Sequence, residues 1–561
     1  MLNLMKYSLP QGLDEQVEGA ISEWSAANNT ARLWEKDASL WTNDDEAKWL
    51  GWLDIACDEI VNAPAYRELR LDIETAGFTD VLLMGMGGSS LSPEVLALTF
   101  SKTNFHILDS TVPEQVKAVE AKLDLAKTLF IVASKSGSTL EPNCFKQYFF
   151  ERLSQVIGVE KAGSQFIAIT DPGSKMEQLA RQDGFRHIFY GKPDIGGRFS
   201  ALSAFGMVPA AIMGLNVEEF LDATSTMVDA CREGKAIDNP GVLLGIILGI
   251  CHRNGRDKLT IISSPEISDL GAWLEQLIAE STGKSGVAII PVDQEPILPA
   301  ASYGNDRIFA FLTLEKDQNP GFYEELVHHG HPAVRISLTD KRSLGQEFFR
   351  WEIATAVAGS LMGINPFDQP DVESAKIEAR KITDEYEQTG SLPAETPFIV
   401  DDTFSLFSNE EYIDVLKTAS TDLSVEGVLT AHLESLRPQD YFAILAFVEM
   451  NAPNNEILTS FRQKFVDRYK NATCLGFGPR FLHSTGQAYK GGANNGVFLQ
   501  ITSEDAIDLP VPGQSYTFGV VKAAQARGDL KVLLDRGRRA IRVHINGDTR
   551  PGLERLAELF A

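Results

Sequence analysis

The sequence predicts an α/β protein with mainly parallel sheets. Three observations carry that expectation. Short apolar runs alternate with helical stretches, glycine- and serine-rich turns follow several of those runs, and each such turn leads into a helix. Strands buried on both faces read as near-continuous apolar runs, which is the pattern of a parallel sheet covered by helices.

Taken in order, residues from about 12 to 60 read as helical, with Trp24, Leu33, Trp34, Leu40, Trp41 and Trp49 forming an apolar face. Val81–Met84, Phe105–Leu108, Leu129–Ala133 and Phe166–Ile169 are expected strands, with helices between them, one of which runs from Pro93 to Phe100. A second unit carries a helix at Val242–Ile250, a strand at Leu259–Ser263 and a strand-like run at Val287–Val292. Helices at Phe348–Met362 and Val372–Glu387 follow, and the Pro-, Gly- and Ser-rich stretch Thr389–Pro397 reads as a linker. A C-terminal α/β unit is expected to hold strands at Phe442–Val448 and Gly496–Thr502, a final helix from near Gly519, and a closing strand at Ile541–Ile545. The expected divisions are 1–60 (an N-terminal helical arm), 61–225, 226–390 and 391–561, since 561 residues exceed what one core organises.

The net charge of −26 disfavours nucleic acid and anionic membranes as partners. An anionic substrate would then need a locally positive site or one lined with oriented N–H groups. Five dispersed cysteines (Cys57, Cys144, Cys231, Cys251 and Cys474) without a CxxC pair suit free thiols in a reducing compartment, so a cytoplasmic protein is expected. The longest apolar run, Val242–Ile250, falls short of the roughly 20 residues that cross a bilayer, and Met1–Gln11 has no signal-peptide character.

Two loops are suited to holding a phosphate. Met84-Gly85-Met86-Gly87-Gly88-Ser89-Ser90 leaves a strand and enters a helix, so backbone N–H groups can approach an anion closely. The loop nearly matches a dinucleotide fingerprint, with Asp109 where a ribose-binding acid would lie, but Ser90 replaces its third glycine. Ser134-Lys135-Ser136-Gly137-Ser138-Thr139 also follows a strand and precedes a helix whose first turn suits Pro142. Either loop alone is equally a structural turn or an N-cap; together they suggest a monophosphate clamp. No GxxxxGK[ST] loop supports nucleoside triphosphate chemistry.

Proton-transfer chemistry on such a phosphorylated substrate would need a base, a nearby cation for developing charge and further proton-moving groups. Glu280 closes the amphipathic stretch Asp269–Glu280, one turn after Gln276, and Thr282-Gly283 ends that helix. Considered alone, Glu280 is more simply a solvated glutamate at a helix end. Arg198 follows Ile195-Gly196-Gly197, and Lys376 lies on a helix opened by Asn365-Pro366-Phe367-Asp368-Gln369-Pro370. Their plainer readings are a surface ion pair and a solvated lysine. His483, in Leu482-His483-Ser484-Thr485-Gly486-Gln487, is a proton shuttle or a satisfied core histidine. His328, His329 and His331 lack a carboxylate spacing to complete a metal site and read as structural or surface residues.

Together these segments resemble the glucose-6-phosphate isomerase (phosphoglucose isomerase) family. The carriers are Gly196–Ser203 (GGRFSALS), Glu275–Lys284 (EQLIAESTGK) and Ile364–Lys376 (INPFDQPDVESAK), in that order along the chain. The likeness runs from about residue 30 to the C-terminus and is nearest to the isomerase portion of bacterial transaldolase fusions, with no transaldolase barrel present. It implies two sugar-isomerase (SIS) type three-layer α/β/α domains, and interconversion of glucose 6-phosphate and fructose 6-phosphate in glycolysis and gluconeogenesis, without metal or other cofactor. Mannose 6-phosphate is the alternative substrate, and a non-catalytic sugar-phosphate sensor or an NAD-dependent oxidoreductase using the Gly85 loop are the rival readings. By the resemblance, Gly88, Ser89, Ser134, Ser136 and Thr139 bind substrate phosphate, and Gly197 and Arg198 stabilise the enediolate. Gln276 and Gln369 contact substrate, Glu280 is the base, and Lys376 assists ring opening. The SKSGST loop is smaller in side-chain bulk than the family's usual SKTFTT-like form. The family's ring-opening histidine precedes the INPFDQ segment, whereas here the matching His-Ser-x-Gly-Gln lies downstream at His483, with His331 or His329 as fallback. A homodimer is implied as well, with His483 crossing between subunits or supplied in cis by the C-terminal unit.

Overall fold

The chain opens on a strand, β1 (Leu4–Ser8), ahead of the helices that the tryptophan pattern marks. In the computed structural model, residues 1–315 and 320–559 are described. β1 departs from the expected purely helical arm. It is short and half-buried, and pairs antiparallel with a strand more than three hundred residues away. Asn3 anchors it: its amide donates to Ser343 O and to Glu347, and Arg350 donates to its carbonyl.

A first sheet comprises β2 (Asp80–Met84), β3 (Phe105–Leu108), β4 (Thr128–Ala133), β5 (Phe166–Thr170) and β6 (His187–Tyr190), all parallel, in the order β3-β2-β4-β5-β6. β4 is buried along its whole length, as its apolar run requires. A second sheet holds β7 (Lys258–Ser263), β8 (Ile290–Val292), β9 (Arg307–Leu314) and β10 (Ala333–Leu338), in the order β1-β10-β9-β7-β8, parallel except for β1. The expected strand Val287–Val292 is therefore shorter. Val287 instead pairs with Lys284 in an isolated bridge.

A third sheet is formed by β11 (Ile399–Val400), β12 (Phe404–Phe407), β13 (Tyr441–Phe447), β14 (Ala472–Phe477), β15 (Gly496–Ser503) and β16 (Arg539–Ile545), ordered β11-β12-β16-β15-β13-β14. β11 and β12 are antiparallel and the others parallel. The helix from Phe518 is not the last one, because a further helix spans Thr549–Glu558. Pro551 sits in its first turn, where an absent N–H costs nothing. Gly552 lies so close to β16 that a Cβ would come within 2.2 Å of Ile545.

Helices lie against these mainly parallel sheets in α/β layers. Helices Pro240–Arg253 and Leu344–Met362 pack closely because Gly241, Gly245 and Gly249 present a Cβ-free stripe to Ile353, Val357 and Leu361. No helix among the described residues is long and apolar enough to cross a membrane.

The third sheet is joined to both others. Phe309 and Phe311 of β9 share a core with Phe404, Leu406 and Phe442. Val511, Tyr516, Phe518 and Val521 pack among Phe130, Phe145 and Phe149 of the first unit. Polar bonds fix the seam between the second and third sheets. Glu295 pairs with Arg307 of β9 at 2.8 Å and accepts from Thr473 N of β14 at 2.7 Å. Arg462 donates to the carbonyls of Asp293, Gln294 and Thr473. Removing one member of a buried charged network leaves the remaining groups unpaired, so Arg462→Met is expected to lower stability by about 3 kcal/mol in urea titrations. An unchanged midpoint would show that the seam does not depend on it.

Candidate active site

Gly87–Ser89 forms a short turn after β2 and abuts the Gly197–Phe199 turn. A Cβ on Gly88 would lie 1.9 Å from Gly197 O, and one on Gly87 would meet Gln276 Nε2 at 2.6 Å and His483 O at 2.8 Å. The glycines thus permit close approach by the protein's own groups at this corner. Asp109, considered as a ribose-binding acid, is buried, accepts from Ser90 Oγ at 3.1 Å, and is covered by Arg480. That arrangement does not leave it open to a nucleotide.

Glu280 lies inside helix Leu270–Thr282, two residues before its end, with 8% of its surface exposed. Its two oxygens have different neighbours. Oε2 accepts from Gln276 Nε2 at 3.1 Å, and Oε1 lies 3.4 Å from Arg198 Nη1. Gln276, one helical turn earlier, also donates to His483 O at 2.8 Å.

Arg198 is 2% exposed and has most of its N–H groups engaged. Nε donates to Ser281 Oγ (2.7 Å), Nη1 to Gln369 Oε1 (3.0 Å), and Nη2 to the carbonyls of Pro366 (2.7 Å) and Asp368 (2.9 Å). A guanidinium has five N–H groups, so a single Nη1–H is left, on the side of Glu280. Burial presses this guanidinium below its ordinary value, against the pull of Glu280 and Asp368. Lys284, also buried, holds the same segment by donating to Asp368 Oδ1 at 2.6 Å. Its burial, aided by Arg198's charge, lowers the ammonium to about 7.

Beside this cluster opens a cavity of about 750 Å³, lined by Ser136, Thr139, Glu141, Lys376, His483 and Gln525 among others. His483 Nε2 lies 2.8 Å from Glu141 Oε1. A carboxylate only accepts, so Nε2 carries a hydrogen and donates it to Glu141. Glu141 Oε1 accepts as well from Gln525 Nε2 at 2.6 Å, and Gln525 Oε1 from Thr111 at 2.7 Å. Burial raises Glu141, but the charge and hydrogen bond of His483 outweigh it and leave the carboxyl below its ordinary range.

Gly88, Gly197, Arg198, Gln276, Glu280 and Gln369 therefore form one cluster, while Ser136, Thr139, Lys376 and His483 line the adjoining cavity. His483 touches both, through its carbonyl and its ring. Ser136 Oγ and Ser138 Oγ bond each other at 2.7 Å, and the loop turns at Gly137 (φ +66°). Ser89 is buried, and so is Ser134, whose hydroxyl has no hydrogen-bond partner among the described residues; nor does Gln276 Oε1. Buried polar atoms in such a state suit contact with a ligand. Lys376 is 41% exposed and bonds Glu373 at 2.8 Å, one turn before it.

The fallback histidines lie elsewhere. His331 packs against Phe309 and Tyr303 and faces Ala300 O at 3.2 Å, while His328 and His329 are exposed. Among the described residues no group of three or more His, Cys, Asp or Glu could hold a metal ion. The sequence reading did not include Glu141, Ser281, Lys284 or Gln525. Glu141 had a usable signal, two residues past Thr139 in the first turn after the second loop, and Ser281 and Lys284 fall within EQLIAESTGK.

The phosphoglucose isomerase family profile matches residues 73–295, a span that includes Ser89, Arg198, Gln276 and Glu280. A glucose-6-phosphate isomerase of Parasynechococcus marenigrum (strain WH8102) is 30% identical over 416 residues, covering 63% of this chain and 75% of that protein. A glucose-6-phosphate isomerase of Synechococcus sp. (strain JA-2-3B'a(2-13)) is 28% identical over 435 residues, 64% of this chain and 80% of the relative. In fold, the crystal structure of a hypothetical protein from Thermus thermophilus matches with a TM-score of 0.59 at 23% identity, over 67% of this chain and 99% of the other. The chain belongs to the phosphoglucose isomerase family and is an isomerase.

Asp109 yields a prediction about pH. Burial raises its carboxyl from 3.8 to about 7, against the Ser90 hydrogen bond and the charge of His483. A folded-state value above the unfolded one means that the native protein holds the proton longer, so this contribution to stability is lost as pH rises from about 4 to 7. Asp109→Asn is expected to flatten that decline, read as urea midpoints at pH 5 and pH 7. An undiminished slope would assign the decline to other groups.

Proposed function

We propose that this isomerase interconverts glucose 6-phosphate and fructose 6-phosphate through a cis-enediol, with Glu280 as the base. The observation that carries the reading is the position of Glu280: a nearly buried carboxylate between an amide donor and a guanidinium, on a helix packed against the Gly87–Ser89 turn. Ser89, Ser134, Ser136 and Thr139 hold the 6-phosphate through hydroxyl and amide groups, which suits a chain whose net charge repels anions. His483, held through Nε2 by Glu141, and Lys376 move protons between ring and hydroxyl oxygens as the hemiacetal opens.

Glu280 then takes the proton from C2 and returns it to C1, or the reverse. The developing oxyanion is met by the charge of Arg198, whose one remaining N–H lies on the side of Glu280 and whose other four are already engaged, so the guanidinium need not reorganise. Gln276 holds Glu280 against the turn that contains His483, and Gln369 keeps Arg198 in place.

General-base catalysis accounts for about 10²–10⁴-fold in rate, so Glu280→Gln should reduce kcat by at least about 10²-fold in a coupled assay on fructose 6-phosphate. Calorimetry with sorbitol 6-phosphate, which has no carbonyl to react, should show binding retained. Turnover close to that of the unaltered enzyme would remove Glu280 from the base role. Comparing initial rates on mannose 6-phosphate in the same assay tests the substrate assignment.

A further inference from the structure

We infer that Arg480 is a positioning residue for ring opening, clamping the turn that carries His483 to the first loop; the inference rests on the proposed role of His483. Arg480 and His483 begin and end one short turn, Arg480–His483, directly after β14. At the histidine end the turn is held by Gln276, through the His483 carbonyl. At the other end Arg480 uses all three guanidinium nitrogens. Nη1 donates to Glu94 Oε1 at 3.1 Å, Nη2 pairs with Glu94 Oε2, and Nε lies 3.4 Å from Asp109 Oδ2.

Both partners belong to the phosphate-loop corner. Glu94 is in helix Leu91–Thr99, which starts where the Gly87–Ser90 loop ends, and Asp109 follows β3 and accepts from Ser90 of that loop. The guanidinium side chain is only 14% exposed. A two-pronged, charge-assisted contact fixes direction as well as distance, which a single hydrogen bond does not. The need for such a clamp follows from chain order. His483 reaches the cavity from the third sheet, and among the described residues its ring has one hydrogen-bond partner, Glu141, in the first unit. A shift at the Arg480 end would tilt the turn about the bond that Gln276 makes to the His483 carbonyl, moving the ring relative to a substrate held by the loops while Gln276 and Glu280 keep their places on their helix.

The two steps can be assayed apart. Fructose 6-phosphate must open its ring before proton transfer, whereas 5-deoxyfructose 6-phosphate has no C5 hydroxyl with which to close one. Arg480→Met is expected to lower kcat on fructose 6-phosphate about 10²-fold, the scale of an ångström misplacement. On the open-chain substrate kcat should stay within about threefold of wild type, a split showing that only ring opening was affected. Arg480→Lys, which keeps the charge and loses the fork, should fall between the two. Equal losses on both substrates, or no loss on either, would overturn the inference. Glu94→Gln removes the other half of the clamp and decides by the same criterion if Arg480→Met does not fold. A wild-type enzyme inactive on fructose 6-phosphate would overturn the proposed substrate pair and this inference with it. An active one whose variants lose both substrates equally overturns the inference alone.

Discussion

The side-chain amide of Gln276 ties the site together, because one Nε2 group bonds both the Glu280 carboxylate and the His483 carbonyl. Glu280 is four residues away on the same helix, while His483 is 207 residues further along and belongs to another sheet. Everything that brings the third sheet into place converges on that donor. The Glu295–Arg307 pair and the Arg462 fork seat the third sheet on the second, and the Val511–Val521 segment packs it against the first. Gly87 lacks a side chain at the point where the amide and the carbonyl meet, since a Cβ would contact both.

Electrostatics set how the cluster can work in a chain of net charge −26. The positive charges near Glu280 are few, buried and individually committed. Arg198 is held by four acceptors and Lys284 by Asp368. A low-dielectric surrounding strengthens each of these interactions, and groups so fixed do not have to move when charge develops on a substrate. The Glu141–His483 contact follows the same logic, with Gln525 and Thr111 holding the carboxylate from behind.

Much of the architecture could be read from the residues. The strands β2, β3, β4, β5, β7, β13, β15 and β16 read as largely apolar runs, and burial is what makes them so, whereas β6 is only partly buried and offers no such run. Strands with polar insertions escaped: β10 carries Arg335, whose guanidinium stacks over Tyr323 at 4.3 Å, and β9 begins with Arg307, paired to Glu295. β1 escaped because its half-buried residues gain their meaning only from β10 and Asn3's partners. At the site, local pattern placed Glu280 and Gln276 on one face of one helix. No local pattern could place Arg480, whose partners Glu94 and Asp109 are nearly four hundred residues earlier, or show that His483 and Glu141 meet. Those contacts depend on the packing of three sheets, which single-chain periodicity does not encode.

The most direct measurement is a crystal structure with a bound open-chain mimic of the substrate, such as 5-phosphoarabinonate. The mimic should place its carboxylate, standing in for C1 and C2 and their oxygens, within about 3.5 Å of Glu280, the separation of groups poised to react. Its phosphate should rest against the hydroxyls of Ser134 and Thr139, with the remaining Nη1–H of Arg198 facing an oxygen of the mimic. A ligand bound with its carboxylate toward Lys376 and the outer cavity wall, out of reach of Glu280, would contradict proton transfer at this carboxylate.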